Sequence, residues 1–207
     1  MLKPQENKII HKIFAWYISR IIRSDFKKFE FNKASFDQER SILVLCNHFS
    51  WWDGFFIFHI NRIYFRKKFH VMITEENYRK VWFLKYLGSF SVRKNSRSVI
   101  ETLDYAGKLL NNPQNLVLIF PQGKLHSNHL ENIAFEKGLM NLVNSSSKNF
   151  QYIFAVIFAD FFENRKPSII CYLRQWEAEE FTSLQLIKST FNKHYETSRQ
   201  QQSRITV

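Results

Sequence analysis

From Lys8 to Ser24 the apolar residues Ile9, Ile10, Ile13, Phe14, Tyr17, Ile18, Ile21 and Ile22 recur at spacings of three and four, the period of one helix face. The opposite face carries Lys8, His11, Lys12, Ser19, Arg20, Arg23 and Ser24, with Trp16 near the boundary. The spacing predicts an amphipathic helix over 8–24. A basic polar face, an apolar stripe and a flanking aromatic suit a helix lying in a membrane interface, and a helix packed on its own domain's core shows the same stripe. Residues 1–35 are assigned to this N-terminal amphipathic membrane-interface helix.

Beyond it, short apolar runs alternate with helical patterns. Strands are predicted over 42–46, 69–74, 90–92, 116–120, 152–158 and 169–173, and several are continuously apolar, as strands covered on both faces are. Helices are predicted over 54–64, 75–86, 98–111, 135–147 and 178–196. Ser98-Val-Ile-Glu101 reads as a capping box at the start of one of them. Strands alternating with helices define a single α/β domain, residues 36–197, with a central mostly parallel sheet flanked by helices. The polar stretch 198–207 reads as a frayed tail. The Phe-rich runs 55–58 and 158–162 read as core.

Composition narrows the class. The chain has 207 residues, 45% hydrophobic and 17% aromatic with 22 Phe, but 5 Gly and 4 Pro, which is too apolar for a disordered segment. Cys46 and Cys171 lie inside apolar runs, so a disulfide scaffold does not fit and a reducing compartment does. No stretch reaches the roughly 18 uncharged apolar residues of a spanning helix, and MLKPQENK lacks the features of a signal peptide. The expectation is a soluble or peripheral protein. Net charge is +12, and it is uneven. Residues 62–97 carry ten basic groups against Glu75 and Glu76, and residues 1–40 carry nine against five. Basic and aromatic together point to nucleic acid or to a membrane surface. No known nucleic-acid motif is present and the aromatics lie in apolar runs rather than between Lys and Arg, so no nucleic-acid partner is expected.

The chemistry concentrates in Cys46-Asn-His-Phe-Ser-Trp-Trp-Asp-Gly54, directly after a predicted strand, where α/β sheets present groups at their carboxyl edge. His48 and Asp53 lie across a predicted turn. An imidazole backed by a carboxylate is a complete general base, with no need of a nucleophilic serine if the substrate brings its own hydroxyl or amine. Trp51 and Trp52 suit an apolar chain, a membrane surface or the core. Leu87-Gly-Ser-Phe-Ser-Val-Arg93 ends on an arginine suited to gripping phosphate. Leu118-Ile-Phe-Pro-Gln-Gly-Lys124 puts Pro-x-Gly after a buried strand, a sharp turn whose backbone N–H groups are expected to meet an anion or a developing oxyanion. Phe135-Glu-Lys-Gly138 opens a helix. The seven His show no metal-ligand spacing with Cys or carboxylates, and no metal is expected.

In this order the four segments resemble the glycerolipid acyltransferase family, which includes the 1-acylglycerol-3-phosphate acyltransferases. Asn47-His48-x4-Asp53 is similar to its His-x4-Asp motif, and Gly88-Ser-Phe-Ser-Val-Arg93 to Gly-x-x-Phe-(Ile/Val)-x-Arg, with the arginine one place early. Phe120-Pro-Gln-Gly123 is similar to Phe-Pro-Glu-Gly-Thr-Arg-Ser, and Phe135-Glu-Lys-Gly138 to Phe-Lys-x-Gly. The apolar run 154–158 stands at the Val-Pro-Val motif, without its proline. Gln122 replaces the family's Glu, Lys124 its Thr and Leu125 its Arg.

The resemblance implies an acyltransferase moving a fatty acyl group from acyl-CoA or acyl-carrier protein to a lysolipid hydroxyl in phospholipid or related lipid biosynthesis. It implies no cofactor beyond that thioester co-substrate. His48 would take the acceptor's proton, Asp53 would orient His48, and Arg93 would hold a head-group phosphate. Asn47 and the turn Phe120, Pro121, Gln122, Gly123 and Lys124 would complete the substrate-binding set. The protein would sit at the cytoplasmic face of the membrane, bound peripherally, its charge serving as anchor and as a collar for phosphate. The changes at 122, 124 and 125 leave the acceptor open between a lysophosphatidate, an amino lipid and another hydroxyl-bearing molecule such as a pigment. They also leave open a catalytically idle lipid-binding relative.

Overall fold

The computed structural model describes residues 1–93, 98–178 and 182–206. Its sheet has seven strands: β1 (Lys28–Phe31), β2 (Ser41–Cys46), β3 (Lys68–Thr74), β4 (Ser89–Val92), β5 (Asn115–Ile119), β6 (Phe150–Asp160) and β7 (Ser168–Trp176). They lie in the order β1-β7-β6-β2-β5-β3-β4, and every pairing is parallel except β6 with β7. The helices are α1 (Lys8–Asp25), α2 (Asp53–Ile60), α3 (Glu75–Lys80), α4 (Ser98–Leu109), α5 (Leu139–Asn144) and α6 (Leu184–Gln202). The whole is one α/β domain with a mostly parallel central sheet. Among the described residues no helix is long and apolar enough to cross a membrane.

The continuous apolar strands have the cause expected of them. In β2, Ile42, Val44 and Cys46 enter the cluster shared with α1 and α2, while Leu43 and Leu45 enter the cluster shared with α4, α5 and α6. Each residue of β2 is therefore buried, whichever way its side chain points. The same alternation places Leu116 and Leu118 of β5 on one side and Val117 and Ile119 on the other.

Several boundaries differ from the pattern. β1 is missed because its sequence, KFEF, is short, polar at alternate positions and only half-buried at the others. The predicted helix 75–86 splits into α3 and a 3-10 turn, Leu84–Leu87, and Trp82 and Phe83 between them pack on Phe14 of α1 at 5.4 and 4.1 Å. The predicted helix 54–64 becomes α2 and a π-helical turn, Asn61–Phe65. α5 is shorter than predicted, because residues 135–138 form a turn that leads into it. α4 begins at Ser98, the residue the capping box marks; residues 94–97, with Lys94 and Arg97 of the basic stretch, lie outside the described residues.

The tail is the largest correction. α6 is capped by Ser183, whose hydroxyl accepts from the Leu186 N–H, and continues through Ser198 to Gln202. It stays helical because polar residues continue the buried stripe with partners of their own. His194 Nε2 meets the Tyr172 carbonyl at 3.0 Å, and Gln202 donates to Asp160 at 2.6 Å and accepts from the Tyr172 hydroxyl. A hydropathy pattern cannot see a polar side chain buried by hydrogen bonding.

α1 is held to the domain by part of its apolar surface. Ala15, Ile18 and Ile22 are buried, as is Ser19, which the pattern puts on the polar face. Ser19 Oγ lies 3.1 Å from His59 Nδ1 of α2 and accepts from Arg62 at 2.7 Å. Ile9, Ile13 and Tyr17 of the stripe and Trp16 at its boundary face outward, 72%, 55%, 48% and 62% exposed. In the second Phe-rich run, Phe161 and Phe162 are exposed rather than core.

Candidate active site

Strands β2, β3, β4 and β5 run parallel, so their carboxyl ends meet at one edge and the loops that follow are neighbours. The β2 loop turns straight into α2. Asp53, the first residue of α2, is completely buried and accepts three hydrogen bonds at one oxygen, Oδ2: from the Phe49 and Ser50 backbone N–H groups at 2.8 and 2.9 Å and from His48 Nδ1 at 2.8 Å. A carboxylate only accepts, so the proton of this bond sits on Nδ1 and Nε2 keeps its lone pair for a substrate. Burial pushes the Asp53 carboxyl above its ordinary range, opposed by the bonds from His48, Ser50 and Phe49.

Two residues of the neighbouring loop hold the other sides of His48. The Phe120 ring stacks on the imidazole with centroids 3.9 Å apart and planes 16° from parallel. Gln122, itself buried, accepts from the His48 backbone N–H through Oε1 at 2.7 Å. The Phe120–Gly123 turn is closed by the Gly123 N–H donating to the Phe120 carbonyl at 3.1 Å, and Gly123 has φ +65°, where a Cβ would be strained. Of the backbone N–H groups of this turn, that of Gly123 is occupied within the turn itself.

Asn47 is buried, and both ends of its amide go to β6: Nδ2 donates to the Ile157 carbonyl at 2.9 Å and Oδ1 accepts from the Ile157 N–H at 2.8 Å. It fastens the loop to the sheet rather than facing a substrate. Arg93 is exposed and gives Nε and Nη2 to Glu75 at 2.5 and 3.0 Å. Glu75 also accepts from Arg79, and the two guanidiniums hold its carboxyl down at about 2. The Glu75–Arg93 pairing escapes a reading of the sequence because it is made across the sheet edge; the local signs are an acid directly after a strand and Arg79 four residues on.

Five of the basic residues at 62–97 have partners within the domain. Arg62 is bonded to Ala15 and Ser19, buried Lys67 donates to the Gln38 and Pro113 carbonyls, and Lys68 pairs with Glu6. Arg79 and Arg93 share Glu75. Lys124 is exposed beside His48.

His48 stands at the wall of an apolar cavity of about 310 Å³ that reaches between α2 and β3, past Phe55, Phe58, Phe69 and Val71. Phe55 and Phe58 are therefore both core and lining. Gly54 opens the cavity further, since no atom lies within 4 Å of where its Cβ would be. Trp51 and Leu125, 43% and 52% exposed, line its outer part. Trp52 turns away to pack on Phe26 and Phe56.

A buried carboxylate, an imidazole with a free Nε2 and an apolar cavity beside it equip this sheet edge to activate a hydroxyl or amine against a long-chain substrate. The model of the acyltransferase family, the glycerolipid acyltransferases, matches residues 28–158, well over half of the chain and inclusive of every residue just described from Asn47 to Lys124. The chain belongs to that family. Comparison with curated proteins finds no match.

Proposed function

We propose that the protein transfers a fatty acyl group from an acyl thioester, acyl-CoA or acyl-carrier protein, to the hydroxyl of a lysolipid at the cytoplasmic face of a membrane. The observation that carries this reading is the His48–Asp53 pair, bonded at 2.8 Å and set in the wall of the apolar cavity. The acceptor hydroxyl passes its proton to His48 Nε2 as its oxygen attacks the thioester carbonyl. The imidazolium, stabilised by Asp53, returns the proton to the departing thiolate as the C–S bond breaks. The acyl chain lies in the cavity along Phe55 and Phe58.

The attachment to a membrane is supported by what α1 leaves uncovered. Ile9, Ile13, Trp16 and Tyr17 are exposed alongside Lys8, Lys12, Arg20 and Arg23, and Trp82, 54% exposed, packs on Phe14. Aromatic and basic groups together suit a headgroup layer. Trp51 and Leu125 continue the apolar surface at the cavity.

The test is thiol release from an acyl thioester by the purified protein, with a lysolipid presented in vesicles and the acylated product weighed by mass spectrometry. Product formation that disappears in His48→Ala supports the reading. A His48→Ala protein with the full rate would sink the mechanism, and a wild-type protein that bound the vesicles without turnover would leave the idle lipid-binding relative in its place.

A further inference from the structure

A second cavity, about 490 Å³, lies on the opposite side of the sheet, against α4 and α5. Val99, Leu103, Ile119 and Leu139 supply an apolar lining. It shares Met72, Val92, Phe120 and Gly123 with the first cavity, so one layer of side chains divides the two. Phe120 is part of that layer and stacks on His48. Both volumes fall in the range of about 300–1,000 Å³ typical of small-molecule sites.

The rim of the second cavity is charged in one place. Glu136 is its one charged lining residue among those described, and its carboxylate has no hydrogen-bond or ion-pair partner there. Its position is fixed by the Glu136 N–H donating to the Pro121 carbonyl at 2.8 Å, and its side chain covers Gly123, with Cγ 3.2 Å from where a Cβ there would stand. A free carboxylate thus overhangs the wall between the cavities. Glu136 also stands where the Phe-Lys-x-Gly element carries lysine. Around it, Gln122 is neutral and spent on the His48 N–H, Arg93, next to the lining residue Val92, is already paired with Glu75, and the exposed Lys124 and Lys137 stand outside this lining, Lys124 on the first cavity.

We infer that this second cavity receives the hydrocarbon chain that the acceptor already carries, and that Glu136 selects an acceptor whose head group bears an ammonium rather than a phosphate. The inference rests on the acyl-transfer reading and assigns its two chains to opposite sides of Phe120. The donor's chain lies on the His48 side and the acceptor's on the α4–α5 side, and the acceptor hydroxyl reaches His48 at the Gly123 turn. The negative rim repels a phosphate and attracts an amine.

Photolabelling tests this without requiring turnover, so its outcome is separate from that of the thiol-release assay. The probes are two single-chain lipids with the same chain-borne diazirine and a free hydroxyl, one with an amine head and one with a phosphate head, presented in neutral vesicles to the full chain. The amine probe is expected to label residues 98–109 and 139–144 more strongly than the phosphate probe does. Glu136→Gln should cut amine-probe labelling by about two- to fivefold, the size of an exposed ion pair, and leave the phosphate probe no weaker. Val99→Trp, at a half-exposed position of α4, should remove labelling there while the thermal midpoint stays put. Labelling of residues 53–60 and 68–74 by the amine probe would overturn the placement. Labelling of 98–109 by a diazirine acyl thioester would give the cavity to the donor. A phosphate probe that labels as well as the amine probe, or a Glu136→Gln protein with unchanged preference, would overturn the selectivity.

Discussion

The loop after β2 and Arg93, the residue after β4, stand at the same edge of the sheet, yet they are held in opposite ways. His48 is restrained on every side: Asp53 below Nδ1, the Phe120 ring against its face and Gln122 on its backbone N–H. Its anchor, Asp53, is fully buried and holds the turn through two further backbone bonds. Arg93 is 63% exposed in its side chain and is held by Glu75, the residue after the neighbouring strand β3. A proton transfer needs a geometry fixed to a fraction of an ångström, and burial with several bonds supplies that. A surface ion pair such as Arg93–Glu75 is one that salt and competing anions can rearrange.

Substitutions at the two places should therefore fail differently. The largest effect is expected from Asp53→Asn, which removes the charge that stabilises the imidazolium; kcat should fall by about 10²–10⁴ with KM near wild type. Gln122→Leu comes next. It strands the half-buried His48 N–H, and denaturation should show a loss of about 1–2 kcal/mol together with a lower kcat. Arg93→Ala should leave kcat and the thermal midpoint near wild type and raise KM for a phosphate-headed acceptor by no more than about tenfold. A fall in kcat as large as that of Asp53→Asn would erase the contrast between the two segments.

The smallest effect concerns acid. The Glu75 carboxyl, held at about 2 instead of 4.5 by Arg93 and Arg79, contributes stability that is fully present above its ordinary value and is lost as pH falls through about 2. Thermal midpoints measured from pH 4.5 downward should fall less in Glu75→Gln than in wild type over that window. Identical slopes would mean that the Glu75–Arg93 pair adds nothing in solution.

The same contrast explains what the sequence discloses. His48 and Asp53 sit within one turn, so their pairing is local, and the three segments that accompany them in the sequence single it out; the continuous apolar runs predict the strands that frame it. Contacts made between distant segments stay hidden. Asn47 stands beside the base but reaches Ile157 of β6, and nothing local to either residue announces it. Gln122 reads as a departure from a motif, while its Oε1 sets the His48 backbone. The end of α6 escapes because Gln202 is buried by bonds to Asp160 and Tyr172 rather than by hydrophobicity. The charge count shows an excess at 62–97 but not that Arg62 and Lys67 are spent inside the domain.

The central claim is that His48 and Asp53 act as one unit on the acceptor's proton. It is tested most directly by measuring single-turnover acyl transfer in wild type, His48→Ala, Asp53→Asn and the double variant. The account predicts that Asp53→Asn, costly in wild type, costs nothing further once His48 is gone. Additive losses, with the double variant slower than His48→Ala by the full Asp53→Asn factor, would contradict it.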